Sequence, residues 1–136
     1  MVDLVVTPAN VVKGATAKVE TGIAGAAIAA GQTVYKDPAD SKYKLCDADA
    51  GTADVRTTRG VALNGAGNNQ PLAVQTGGRY TAGATVVPGT IYVQSDTPGG
   101  IMPAADLDPG DYVTVLGVGV SATDIDLNIH VSGVAV

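Results

Sequence analysis

Gly31-Gln32-Thr33-Val34-Tyr35 and, 29 residues on, Gly60-Val61-Ala62-Leu63 are each a glycine opening a short run of strand-favouring residues. Glycine takes the backbone angles of a turn without steric cost, and valine, threonine and tyrosine fit a pleated, half-buried surface. The pattern returns as Gly89-Thr90-Ile91-Tyr92 and, 28 residues later, Gly117-Val118-Gly119-Val120, so the two copies are offset by 58 or 57 positions. Each then leads to an alternating stretch closed by glycine: Leu72-Ala73-Val74-Gln75-Thr76-Gly77 in one, Leu127-Asn128-Ile129-His130-Val131-Ser132-Gly133 in the other. A repeat of this length present only twice does not make a solenoid. It predicts two similar β units, about 31–77 and 89–133, inside one domain.

Turn chemistry separates the remaining runs. Asp37-Pro38-Ala39-Asp40-Ser41, Asn64-Gly65, Gly67-Asn68-Asn69-Gln70, Pro88-Gly89, Pro98-Gly99-Gly100 and Asp108-Pro109-Gly110 each combine residues that preset φ, accept positive φ or hydrogen-bond the local backbone. Between them lie Tyr43 to Leu45, Arg59 to Leu63, Pro71 to Gln75, Thr90 to Gln94 and Tyr112 to Leu116. Ala24 to Ala30 has helix propensity, but Gly22, Gly25 and Gly31 interrupt it, so strand, turn and strand is the better reading of 15–35. Short strands at this spacing predict an all-β fold, a compact β-sandwich or β-barrel-like domain over 15–136. Residues 1–14, with Val2, Leu4, Val5 and Val6 running up to Pro8, read as an extended N-terminal arm.

Composition narrows the function. The chain has 136 residues, room for one domain. It is 46% hydrophobic but only 4% aromatic, with 21 Ala, 20 Val and 18 Gly, so its core is made of small pieces. Small side chains bury little apolar surface and glycines lose the most backbone entropy on folding, which predicts association with copies of itself or with a partner. The net charge of −5 and eight scattered cations argue against a phosphate-tracking surface. No apolar run approaches the roughly 20 residues of a membrane span. One cysteine and no signal-peptide pattern suggest synthesis and folding in a cytosol.

The residues that could carry chemistry are few. His130 is the one histidine, in an alternating stretch with Asn128 and Ser132 on its face, the place of a polar surface residue. Cys46 has only Lys44 near it in sequence, and a reactive thiol needs a helix N-terminus or a close cation. Asp47/Asp49, Asp106/Asp108 and Asp124/Asp126 form three Asp-x-Asp pairs, but none has the spacing of an EF-hand loop. They are expected as solvated turn or edge residues, with a structural cation the less favoured reading. Gly65-Ala66-Gly67 lacks the Lys-Ser/Thr ending of a phosphate loop. No catalytic residue, cofactor or metal is expected, and a small hydrolase using Cys46 or paired aspartates is the least favoured reading.

Several segments resemble one family in order. They are Ala24-Gly25 through Tyr35-Lys36-Asp37, Arg59-Gly60-Val61-Ala62-Leu63-Asn64-Gly65, and Pro88-Gly89-Thr90-Ile91-Tyr92 with Pro98-Gly99-Gly100-Ile101-Met102-Pro103. Together with Gly117 to Thr123 the chain is similar to the head decoration, or cement, proteins of tailed bacteriophages. The resemblance implies a non-enzymatic virion protein on the capsid exterior, made in the host cytoplasm and commonly a homotrimer, that clamps major capsid subunits together. On that reading Val2, Leu4 and Val6 share one face of an arm that adds a strand to a capsid subunit. A receptor-facing fibre or adhesin module is the alternative; it too would be β-rich, oligomeric and non-catalytic.

Overall fold

In a computed structural model, residues 3–136 are described and are nearly all β, with 46% of residues in strands. The strands are β1 (Val11–Lys13), β2 (Lys18–Ile23), β3 (Thr33–Lys36), β4 (Tyr43–Leu45), β5 (Gly60–Ala62), β6 (Pro71–Ala82), β7 (Ile91–Gln94), β8 (Ile101–Pro103), β9 (Tyr112–Gly119) and β10 (Asp124–Ala135). One four-residue helix, α1 (Ala53–Arg56), and two short 3₁₀ turns complete them. All ten strands belong to one antiparallel sheet that curls into a half-barrel.

The strand order β4-β3-β5-β6-β10-β9-β7-β8 reads the same way outward from its centre. β3, β4, β5 and β6 take the places on one side that β7, β8, β9 and β10 take on the other. Registers agree as well as order. Val34 faces Leu45 and Lys36 faces Tyr43 in the first hairpin; Tyr92 faces Pro103 and Gln94 faces Ile101 in the second, every residue displaced by 58 positions. Val34 faces Gly60 as Tyr92 faces Gly117, and Val61 faces Gln75 as Val118 faces Asp126. Gly77 and Asn128, 51 positions apart like Gln75 and Asp126, face each other where β6 meets β10, so an approximate twofold passes through that pair.

Two small cores form, one within the first half and one built from the second half together with Val61, Tyr80 and Ala82 of the first. Val34, Tyr43, Leu72 and Val74 pack with Ala24, Ile28, Ala62 and Ala66. Tyr92, Ile101, Leu116, Ile125 and Leu127 pack with Val61, Tyr80, Ala82 and Val86. The equivalent hairpins exchange bulk: the ring lies on β4 (Tyr43) in one half and on β7 (Tyr92) in the other, against Val34 and Ile101.

β6 runs past the glycines expected to end it. Gly78 takes φ +87°, and the buried Gln75 amide donates to the carbonyls of Gly77, Gly78 and Arg79 at 3.1 Å each. The pair therefore bends the strand without stopping it. This bend is where one edge of β6 changes partner, from β5 at Gln75 to β10 at Gly77, while β2 and β1 follow its other edge.

Both ends of the sheet are covered by preceding chain. The amide of Gly25 donates to the Tyr43 carbonyl on β4 at 2.7 Å, and the amide of Leu4 to the Ile101 carbonyl on β8 at 2.8 Å. Tyr43 and Ile101 are themselves 58 positions apart, so the two halves close equivalent edge carbonyls with different segments. Exposed strand edges invite pairing with another chain, and here the terminal ones are occupied.

Candidate functional site

The expected arm of residues 1–14 is described from Asp3 onward, and it lies along the body instead of projecting from it. Leu4 is tied to β8 as above, Thr7 donates its amide to the Gly83 carbonyl at 2.8 Å, and Val11–Lys13 pairs with β6. Two glycines make room for it. A Cβ on Gly31, at φ +90°, would come within 2.5 Å of Val6 Cγ1, and one on Gly83, at φ +71°, within 2.7 Å of the Thr7 carbonyl oxygen. Leu4 is half-buried against the core of the second half. Leu4 and Val6 line a cleft of about 310 Å³ whose other wall is formed by residues 29–32 and 97–101. Val2, the third residue expected in a capsid-binding face, lies outside the described residues.

At the head of this cleft the Ser95 hydroxyl donates to Asp3 Oδ1 at 2.6 Å, and carboxylates gather behind it. Oxygens of Asp49, Asp96 and Asp111 lie within 4.8 Å of one another. Asp111 is 2% exposed and accepts the amide of Asp108 at 3.0 Å, across the turn Asp108-Pro109-Gly110-Asp111. Among the described residues none of the three makes an ion pair with a lysine or arginine. Burial holds the Asp96 carboxyl above the usual carboxylate range, and the negative charges of Asp111, Asp49, Asp108 and Asp3 push the same way. Burial, then the hydrogen bond shared with Asp49, pushes Asp47 up to about 6.

Three carboxylates are the hard oxygen ligands that Ca²⁺ takes, although Ca²⁺ needs six to eight oxygens in all. No Asp-x-Asp pair forms this group alone. Asp49 comes from the first pair, while Asp96 and Asp111 come from loops far apart in sequence. Asp124 instead accepts Arg79 Nε at 2.7 Å and the hydroxyls of Thr81 and Thr123, which lowers its carboxyl.

The carboxyls of Asp47 and Asp96 set a pH dependence. The folded chain holds their protons more tightly than the unfolded chain, so stability is greatest while both are protonated and falls as pH rises from about 4, the unfolded value, toward about 6 for Asp47. Glu20, Asp37, Asp40 and Asp124 are lowered, so their contribution disappears only on acidification below that window. The thermal midpoint is expected to drop between pH 4.5 and 6.5, and Asp47→Asn to reduce the drop. A midpoint that climbs across this window would contradict the assignment.

Cys46 and His130 are far from reactive arrangements. Cys46 is fully buried, its thiol donates to the Val55 carbonyl at 2.9 Å, and Thr58 Oγ1 lies 3.1 Å away. Burial pushes the thiol up to about 11, so it stays protonated at neutral pH. His130 is exposed on β10.

No family model, curated protein or solved structure matches the chain.

Proposed function

We propose that the protein is a phage capsid decoration protein that binds the outer surface of the assembled head and stabilises contacts between major capsid subunits. The observation that carries this reading is where the family-like segments fall. Gly31 to Tyr35 leads into β3, Gly60 to Leu63 spans β5, Gly89 to Tyr92 leads into β7, and Pro98 to Pro103 leads into β8. They are the framework of both halves, not scattered turns, and such short glycine motifs gain specificity when they hold equivalent structural positions.

The protein acts by binding, as a homotrimer on the virion exterior, with the major capsid protein as its partner. Its N-terminal segment suits a clamp. It is joined to the body near the cleft by separate hydrogen bonds, one accepted by Asp3 and others donated by the amides of Leu4 and Thr7. Lifting it would free Leu4 and Val6 to pair with a capsid subunit as an added strand. A ligand stabilises only the state that it binds, so the protein favours the expanded shell over free subunits.

Co-sedimentation with expanded heads lacking the protein tests this. Saturable binding at a fixed ratio to the major capsid protein is expected, and Leu4→Ala combined with Val6→Ala should weaken it about tenfold, the scale of two lost apolar contacts. Failure to sediment with any head preparation would remove the proposal.

A further inference from the structure

β10 is twelve residues long, but only its first part is enclosed. Asp124 to Asn128 lies between β6 and β9; beyond Asn128, that edge of β6 is taken up by β5, where Val61 pairs with Gln75, and residues 129–135 pair with β9 alone. The chain covers the edges of β4 and β8, yet this inner edge has no strand on it among the described residues. Natural edges are usually blunted by lysine, proline, inward charges or bulges, and this one carries only bulges, where its register against β9 shifts between Leu127 and His130 and between Val131 and Ala135. Residues 127–136 contain no Asp, Glu, Lys, Arg or Pro, and they present Val131, Val134 and Val136 at 38%, 64% and 57% exposure.

A cation stands beside this edge. Arg56, at the end of α1, lies over the ring of Tyr112 with 3.6 Å between its guanidinium carbon and the ring centroid. Its side chain makes no ion pair among the described residues. Arg56, Tyr112 and Thr114 share a cleft of about 120 Å³ with Val131 and Gly133 of the open half of β10. Stacking holds the planar guanidinium in one orientation, leaving its N–H fork to a carboxylate.

We infer that the outer half of β10 accepts an extended segment of a partner protein, apolar in alternation and carrying an acidic side chain that pairs with Arg56. Main-chain hydrogen bonds to residues 129–135 supply attachment, and the arginine sets the partner's register. A second copy of this chain fits less well. Its own open strands offer Arg56 no free carboxylate: Glu20 of β2 is already held by Arg59, and β10 has none after Asp126. The inference stands on the edge and the arginine and does not need the capsid reading.

The test is a titration of the isotope-labelled full chain, followed by NMR, with a blocked peptide of alternating valine and threonine and a central aspartate. A peptide with central lysine is the control. Shifts confined to the amides of 129–135 and to the Arg56 guanidinium are expected. Binding should weaken about tenfold for the lysine peptide and for Arg56→Ala, the scale of a charge-assisted hydrogen bond. Val131→Lys should abolish it while leaving Arg56 in place. No shift at millimolar peptide, equal affinity for the two peptides, or a solution dimer whose edge amides are already protected from exchange would each overturn the inference.

Discussion

Gly117→Ala is expected to destabilise the protein by roughly 3 kcal/mol, the upper range for overpacking a site that cannot relax. A Cβ there would stand 2.0 Å from the carbonyl oxygen of Asp126, on the neighbouring strand β10. The obstacle is backbone, so no rotamer change relieves it. Gly60 is its equivalent in the first half, and a Cβ there would stand 2.3 Å from the carbonyl oxygen of Gln75 on β6. Gly60→Ala should therefore fail in the same way and by a similar amount. Gly51→Ala is the control, since nothing lies within 4 Å of the added carbon. Urea unfolding of the three variants tests the argument, and a Gly117→Ala midpoint close to that of Gly51→Ala would contradict it.

Gln94→Glu should be costlier still, about 4 kcal/mol, because it turns a buried donor into an acceptor. Gln94 sits fully buried at the end of β7. Its amide donates to the carbonyls of Cys46, Ser95 and Gly100 at 3.1 Å each, and its oxygen accepts Thr58 Oγ1 at 3.3 Å. Cys46 and Thr58 belong to the first half and Ser95 and Gly100 to the second, so one side chain joins them. Those three carbonyls also accept the amides of Gly99, Ala48 and Ser95 respectively. Gln94→Leu consequently leaves each with a partner and buries no unpaired charge, so it should cost less. A glutamate variant as stable as the leucine variant would mean that the amide is not the donor.

The strand framework is legible in the sequence because it is built from local signals. Gly31, Gly60 and Gly89 precede or open strands, and the Pro-Gly turns at 88–89 and 98–99 fall between strands, whereas Gly117, read as opening a run, lies inside β9. Propensity also resolves the Ala24 to Ala30 stretch, where no helix forms. What fails locally is any feature set by distant partners. Gly77-Gly78 looks like a strand end, yet the Gln75 amide and a change of neighbouring strand carry β6 through it. The N-terminal segment looks free because the residues that receive it, Gly31, Gly83 and Ile101, lie far along the chain.

The same limit applies to the candidate sites. Asp49, Asp96 and Asp111 carry no shared spacing, and only the curl of the sheet brings their loops together. Asp49 gave a local signal as half of the Asp47/Asp49 pair, and Asp111 follows the Asp108-Pro109-Gly110 turn, but Asp96 gave none. Arg56 gave none, since α1 is too short to register in periodicity and Tyr112 lies on another element.

Whether this protein stabilises a capsid is tested most directly by heating expanded heads with and without it and recording the temperature at which packaged DNA is released. The account predicts a higher release temperature that saturates with occupancy. Saturated binding with an unchanged release temperature would contradict it.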